Sequence, residues 1–231
     1  MAKKRQDTYR GPLSAVQIAE GMNAAEQNAF RLAEDAAILL AAGRLPTAAS
    51  LATLSIEEAG KVAILRALSV ATSKAEVADA WRDYRSHTRK NVTWLLPQLV
   101  AGGARKLDDL RPLFDKESDH PFVLDQVKQL GFYTDCFGNA RWASPTDTVD
   151  GSVARQLVRI AQILAQNRKH TETEVRLWIE HVGPVFKQDH GWMKHALANW
   201  YAAMQEAGLA PDGPNKMEQF IRNGIQQSGS K

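Results

Sequence analysis

Apolar residues recur at helical spacing along most of this chain. Ile18 and Met22 begin a pattern that continues to Leu39 and ends at a turn. Recurrence every three to four residues is typical of a helix that buries one face. Such patterns predict helices over residues 12–39, 47–72, 73–100, 123–130, 150–166, 171–181, 189–207 and 217–227. Pro12 is expected to open the first helix, Thr47 to cap the second and Ser73 to cap the third.

One segment interrupts the helical pattern. Residues 132–142 are rich in aromatic side chains and are bracketed by turn residues, which favours an ordered loop or a short hairpin. The chain has no repeat period and no alternation of strands with helices. We therefore predict an all-α helical bundle with this aromatic insertion. Its expected parts are a flexible basic arm over residues 1–11, a helical domain over 12–208, and a loop, short helix and tail over 209–231.

The composition is that of an ordinary soluble protein. The 231 residues are 44% hydrophobic and 24% charged, and the net charge of +3 permits binding to nucleic acid without requiring it. Cys136 is the single cysteine, so no intramolecular disulfide can form. The basic first residues precede no apolar run, and no stretch is apolar for long enough to span a membrane. We expect a cytoplasmic protein.

Two neighbouring glutamates on the second helix differ in their predicted surroundings. Glu58 lies four residues after Leu54 and four before Val62, which places it on the apolar stripe. A carboxylate that faces a core needs a partner there, since burying an unpaired charge is costly. Glu57 precedes Lys61 by four residues, the favourable order for an exposed helical ion pair. The sequence thus predicts a buried Glu58 and an exposed Glu57.

The third predicted helix carries two basic rows beside a histidine. One row holds Arg82, Arg85 and Arg89, and the adjacent row holds Asp83, His87 and Lys90. Such a surface can bind phosphate, and histidine can transfer a proton near neutral pH. Together they suit metal-independent RNA cleavage, in which arginine stabilises the phosphoryl charge. The alternative is a solvated basic face in which Asp83 and His87 form a pair across one helical turn.

Metal chemistry is the rival interpretation. Helical bundles bind paired metals through carboxylates and Glu-x-x-His motifs on facing helices, and this chain has no such motif. His170 and Glu174 are spaced by one helical turn, and four acids on the first two helices could converge. Those acids are Glu34, Asp35, Glu57 and Glu58. Because all of these conditions would have to hold together, we predict no metal and no other cofactor.

Four ordered blocks carry a resemblance to a known family. They are residues 28–36, Asn-Ala-Phe-Arg-Leu-Ala-Glu-Asp-Ala; residues 48–61, Ala-Ala-Ser-Leu-Ala-Thr-Leu-Ser-Ile-Glu-Glu-Ala-Gly-Lys; residues 87–90, His-Thr-Arg-Lys; and residues 131–135, Gly-Phe-Tyr-Thr-Asp, followed by Trp142 and Pro145. Together they resemble the AbiV abortive infection proteins of bacteria, over about residues 14–205.

AbiV proteins are grouped in the HEPN superfamily, and the resemblance carries expectations. It implies a HEPN-like all-helical bundle, a homodimer, and a role in defence against bacteriophage through arrest of growth or translation. Many HEPN proteins are metal-independent ribonucleases with an arginine, an adjacent polar residue and a following histidine. Arg82, Asp83 and His87 fit that pattern as catalytic residues. The expected supporting or RNA-binding residues are Glu57, Glu58, Lys61, Arg85, Arg89 and Lys90.

Three functional hypotheses follow. In the first, the protein cleaves RNA, with His87 as acid or base and Arg82 as phosphate ligand. In the second, it is a non-catalytic regulator that senses a phage-encoded protein or blocks translation through an exposed surface such as residues 132–142. In the third, a contact between Glu58 and a lysine or arginine only holds the core together.

Overall fold

The computed structural model describes residues 7–90, 95, 99–100, 102–104, 108–110 and 120–224. Within these ranges the chain is helical apart from one two-stranded sheet, which confirms the predicted fold class. The helices are α1 (Ala15–Ala41), α2 (Leu45–Ser69), α3 (Lys74–Arg85), α4 (His87–Lys90), α5 (His120–Phe132), α6 (Pro145–Thr148), α7 (Gly151–Leu164), α8 (Glu172–His181), α9 (His190–Glu206) and α10 (Lys216–Asn223). The strands are β1 (Asp135–Phe137) and β2 (Arg141–Ala143).

Helix α2 is the centre of the bundle. It packs along α1 and also contacts α3, α4, α5 and α7. Small residues allow these close approaches, because Ala48, Ala49 and Ala52 are fully buried. One core lies between α1, the first half of α2, α5 and α7, and a second lies between α1, the later half of α2, α3 and α8. A third joins α8 to α9. No helix in the described ranges combines the length and apolarity needed to cross a bilayer.

Local side chains fix most helix ends. Ser73 caps α3 in a capping box with Glu76, as the sequence indicates. The first helix begins later than predicted, because Ser14 rather than Pro12 supplies its cap. The second begins at Leu45, two residues before Thr47, with proline in its first turn.

The predicted single helix over residues 73–100 is wrong at its centre. Ser86 adopts extended backbone with φ −81° and ψ 126°, which ends α3 and starts the short α4. The hydroxyl of Ser86 accepts a hydrogen bond from the backbone N–H of Arg89 at 3.4 Å, so the serine acts as an N-cap. Most of residues 91–100 lie outside the described residues.

The aromatic segment forms the short hairpin that the sequence allowed. Strands β1 and β2 are antiparallel, with Cys136 opposite Trp142 and Phe137 opposite Arg141. The turn between them needs positive φ at Gly138. Helix α5 reaches the hairpin through Gly131, where a Cβ atom would come within 2.8 Å of the Pro46 carbonyl oxygen. A glycine there lets α5 lie directly on α2.

The start of the described chain lies against α3. The Trp81 indole donates to the carbonyl of Gly11 at 2.8 Å, and Arg85 donates to the carbonyl of Tyr9 at 2.6 Å. The rings of Tyr9 and Trp81 pack edge to face. Residues 1–6 of the predicted arm lie outside the described residues, as do residues 225–231 of the tail.

Gly60 permits the contact that places α4. A Cβ atom at this position would overlap the carbonyl group of Lys90. The backbones of α2 and α4 can therefore touch only because residue 60 has no side chain. This contact brings the two ends of α4, His87 and Lys90, over the middle of α2.

We expect Gly60→Ala to lower the free energy of unfolding by about 2 kcal/mol, because the new methyl group must push α4 off α2. Gly21→Ala is the matched control, since its Cβ would meet only a flexible Leu65 side chain at 3.3 Å. Replacing that helix-interior glycine should be neutral or stabilising, by up to about 1 kcal/mol. Urea unfolding of both variants measures the difference. Equal effects would contradict the proposed close contact.

Candidate functional site

A buried carboxylate joins three helices. Glu57 on α2 is 2% exposed. Its Oε2 lies 2.7 Å from Nδ1 of His87 and 3.5 Å from Nζ of Lys90, both on α4. Its Oε1 accepts a hydrogen bond from Nζ of Lys128 on α5 at 2.6 Å. Lys128 also lies 2.7 Å from Oδ1 of Asp125. We call these five residues the Glu57 cluster.

The predicted roles of the two neighbouring glutamates are reversed. Glu58 forms the ion pair with Lys61, at 2.5 Å, and Glu57 is the acid inside the fold. The prediction followed the large aliphatic residues of α2 as a single stripe. In the structure α2 is enclosed on several sides and buries small and polar residues instead, including Ser50, Thr53 and Ser55. The buried surface therefore extends to the position of Glu57.

The imidazole of His87 contacts a buried carboxylate on one edge and solvent on the other. Its side chain is 55% exposed, and the bond to Glu57 engages Nδ1. A buried carboxylate on one ring nitrogen fixes the orientation of the imidazole and favours the tautomer that carries the proton there. Nε2 is then the nitrogen that a substrate can reach. This arrangement suits a histidine that takes or gives a proton.

The pKa values of the two buried lysines are shifted in opposite directions. Burial lowers the pKa of Lys90, and the charge of Glu57 offsets only part of this effect. Burial also lowers the pKa of Lys128, but its hydrogen bonds to Asp125 and Glu57 outweigh that effect and leave the pKa above its ordinary value. Lys128 is thus the firmly charged partner of the carboxylates, which keeps Glu57 compensated inside the protein.

Three residues of the Glu57 cluster have the donor types of a metal site. One ligand atom from each of Glu57, His87 and Asp125 can be chosen so that all lie within 4.8 Å of one another. The ammonium group of Lys128 contacts both carboxylates. A divalent cation would have to compete with this ammonium group for the same oxygens.

The two basic rows that were predicted on one continuous helix are divided between α3 and α4. Because the helix breaks at Ser86, His87 pairs with Glu57 rather than with Asp83. Asp83 instead lies 3.9 Å from Nε of Arg89. Arg82 pairs with Asp79 on its own helix. The proposed catalytic roles of Arg82, Asp83 and His87 stay predictions.

Two other predicted residues have structural contacts of their own. Arg85 binds the carbonyl groups of Trp81 and Tyr9, and its guanidinium lies 5.0 Å from the centre of the Trp81 ring. The ammonium of Lys61 lies 5.1 Å from the centre of the Tyr84 ring. Both side chains are thus engaged in packing, and Lys90 alone of the predicted supporting cations joins His87 in the Glu57 cluster.

Sequence reasoning missed Asp125 and Lys128. A signal existed, because Lys128 follows the buried Leu124 by four residues on α5 and so lies on its inner face. A buried lysine needs an anionic partner, just as a buried glutamate needs a cation. Nothing in the local pattern identifies that partner as a residue 71 positions earlier in the chain.

Comparison with known proteins places this arrangement in a family. The HEPN_AbiV family model, described as AbiV, matches residues 17–166. The chain belongs to the AbiV family. This assigns the protein to abortive-infection defence, as the resemblance implied. The match covers every residue of the Glu57 cluster and ends before α8. No curated protein and no solved structure matches the chain.

A second buried ionic cluster holds α8 in this AbiV protein. Glu174 lies 2.6 Å from Nη2 of Arg66 and 3.1 Å from Nδ1 of His170. Nε2 of His170 lies 3.7 Å from Glu26, and Arg168 lies 3.3 Å from Glu174. His170 and Glu174 were considered above as metal ligands. In the structure they lie among two arginines and a further acid.

The pKa values of this second cluster are shifted in opposite directions. Burial lowers the pKa of His170, but the hydrogen bond to Glu174 and the nearby carboxylate of Glu26 outweigh it and raise the pKa above 6.5. Burial raises the pKa of Glu174, but His170 and Arg66 outweigh it and lower the pKa below 4.5. Both shifts stabilise the charged pair in the folded state.

We expect this cluster to stabilise the AbiV protein most between pH 4.5 and pH 6.5. The contribution of His170 is lost as the pH rises from 6.5 through its raised folded value, and that of Glu174 as the pH falls below 4.5. Urea unfolding across pH measures both limbs. His170→Gln should flatten the upper limb, whereas His181→Gln, at the far end of α8, should not. A parallel profile for His170→Gln and wild type would contradict this assignment.

We expect Glu57→Gln to lower the free energy of unfolding by about 3 kcal/mol, because it leaves buried lysines without their central counter-charge. Glu58→Gln is the matched control on the adjacent residue. Its partly exposed pair with Lys61 should contribute less than about 1 kcal/mol. Chemical denaturation of the two variants measures the difference. Similar losses would show that Glu57 is not the central acid.

Proposed function

We propose that this AbiV protein is a defence effector that cleaves RNA without a metal ion. The observation that carries the proposal is the 2.7 Å contact between buried Glu57 and the half-exposed His87. A histidine oriented in this way is suited to proton transfer at a surface that a polymer can reach. Arg82 and Arg89 are exposed and carry guanidinium groups suited to phosphate. Family membership supports the defence role.

The proposed reaction is transfer of the RNA phosphodiester to the neighbouring ribose hydroxyl. Nε2 of His87 accepts the proton of the 2′-hydroxyl, and that oxygen forms a bond to phosphorus. The bond from phosphorus to the 5′-oxygen breaks, and the leaving 5′-oxygen takes a proton from solvent water. The products are a 2′,3′-cyclic phosphate and a 5′-hydroxyl. Arg82 would stabilise the phosphoryl charge, Asp83 would orient the basic side chains, and Glu57 would keep the imidazole aligned.

We expect purified wild-type protein to cleave total bacterial RNA in excess chelator and His87→Ala to lose this activity. Removing the proton-transfer group should lower the rate by about 10²-fold or more. Gel analysis of the RNA, with end-group analysis of the products, measures cleavage. His181→Ala is the matched control, because Arg176 and His181 repeat the same spacing while Arg176 pairs with Glu172. Undiminished cleavage by folded His87→Ala would refute the proposed role.

A second candidate function is a non-catalytic regulator that binds a phage-encoded protein. The observation favouring it is Trp142, which is 75% exposed on the hairpin. Exposed tryptophans are common anchors of protein interfaces. Under this proposal Trp142→Ala removes protection against phage while His87→Ala retains it. Protection lost only in His87→Ala would exclude the regulator.

We also propose a homodimer, as the family resemblance implies. Light scattering of the purified protein tests it directly. A monomer at cellular concentration would remove this part of the proposal.

A further inference from the structure

An open groove runs between α5 and the hairpin. Its volume is about 860 Å³, which falls within the range of about 300–1,000 Å³ common for ligand pockets. Phe122 on α5 and Tyr133, the residue directly after α5, line one side, and Phe137 on β1 lines the other. These rings are 56%, 63% and 47% exposed. The groove thus presents aromatic surface from two walls to solvent.

The hairpin has two unlike faces. Phe137 pairs with Arg141 across the strands, and both side chains line the groove. Cys136 pairs with Trp142, and these alternate residues point to the opposite face. Two exposed aromatic residues on one hairpin, Phe137 and Trp142, are therefore separated by the sheet. Trp142 is therefore an exposed aromatic residue outside the groove that can serve as a control.

The groove and the Glu57 cluster share one residue. Asp125 lines the groove and also offers an oxygen within 4.8 Å of ligand atoms of His87 and Glu57. A strand bound in the groove would therefore lie near His87. Gly131 fixes this relation, because it seats α5 directly against α2, which carries Glu57.

The polar lining suits uncharged, planar groups. Gln126, Gln129 and Arg141 offer donors and acceptors of the kinds that read base edges. The carboxylate of Asp125 is compensated by Lys128, and Asp135 is balanced by Arg141 on the same hairpin. A lining without excess charge favours bases over phosphates, so the backbone of a bound strand would face solvent. A duplex keeps its bases stacked inside and cannot present them to these rings.

We infer that this groove binds unpaired bases of RNA by stacking them on Tyr133 and Phe137, next to the phosphate that reaches His87. The inference rests on the proposed function and specifies its substrate class as single-stranded RNA. Aromatic rings bind bases with little sequence preference, because every base has a stacking face. Gln126 and Arg141 would add preference at individual positions.

The test measures binding apart from cleavage. A short fluorescein-labelled RNA strand carries 2′-fluoro groups, so the attacking hydroxyl is absent, and anisotropy gives its affinity for the full-length protein. We expect Tyr133→Ala and Phe137→Ala each to weaken binding by about tenfold. Trp142→Ala, on the other face of the hairpin, should change affinity by less than about twofold. Circular dichroism confirms that each variant is folded.

Three further comparisons isolate stacking. Tyr133→Phe keeps the ring and should retain wild-type affinity. Tyr133→Ala should leave the salt dependence of binding unchanged, because no phosphate contact is removed. The same strand annealed to its complement should bind more weakly than the single strand.

Each outcome separates the groove from the proposed reaction. Groove-dependent binding supports the inference even if unmodified RNA is not cleaved, which would refute only the reaction. Wild-type affinity in both Tyr133→Ala and Phe137→Ala, or an equal loss in Trp142→Ala, overturns the inference even if His87-dependent cleavage occurs. Absence of RNA binding by wild type also overturns it.

Discussion

The buried carboxylate of Glu57 is the constraint on which the described site depends. An ionised group inside a protein must be compensated, and here the compensation comes from Lys128 on α5 and from His87 and Lys90 on α4. These groups tie three helices together at one point. The same contacts that satisfy the charge orient an exposed imidazole, so stability and site geometry have a common origin.

Close backbone approaches make that arrangement possible. Gly60 allows α4 to touch α2, and Gly131 allows α5 to lie against the start of the same helix. Ser86 ends α3 and redirects the chain, so that His87 starts a new helical turn above Glu57. The two glycines therefore allow approaches that a side chain would block, and Ser86 sets the direction of the chain between α3 and α4. The wide burial of α2 follows from the same packing.

The two ionic clusters of this AbiV protein differ in their exposure to solvent. The cluster around Glu174 joins α8 to the long helices, and its members His170 and Glu174 are almost fully buried. The Glu57 cluster instead leaves half of the His87 side chain exposed and borders the aromatic groove. The Glu57 cluster thus combines a histidine with access for a large substrate, whereas the cluster around Glu174 does not. That contrast is why we propose proton transfer at His87 and a structural role for Glu174.

The sequence by itself determined the helical class, most helix positions and the family, because periodicity, caps such as Ser73 and ordered motif blocks are local properties. It also identified His87, Glu57 and Glu58 as candidate functional residues. The tertiary structure alone decided that Glu57 rather than Glu58 is buried, and that Lys128 is its partner. A helix enclosed on several sides has no single apolar stripe to reveal its inward residues. Partners far apart in sequence meet only where helices cross, and local periodicity does not specify those crossings.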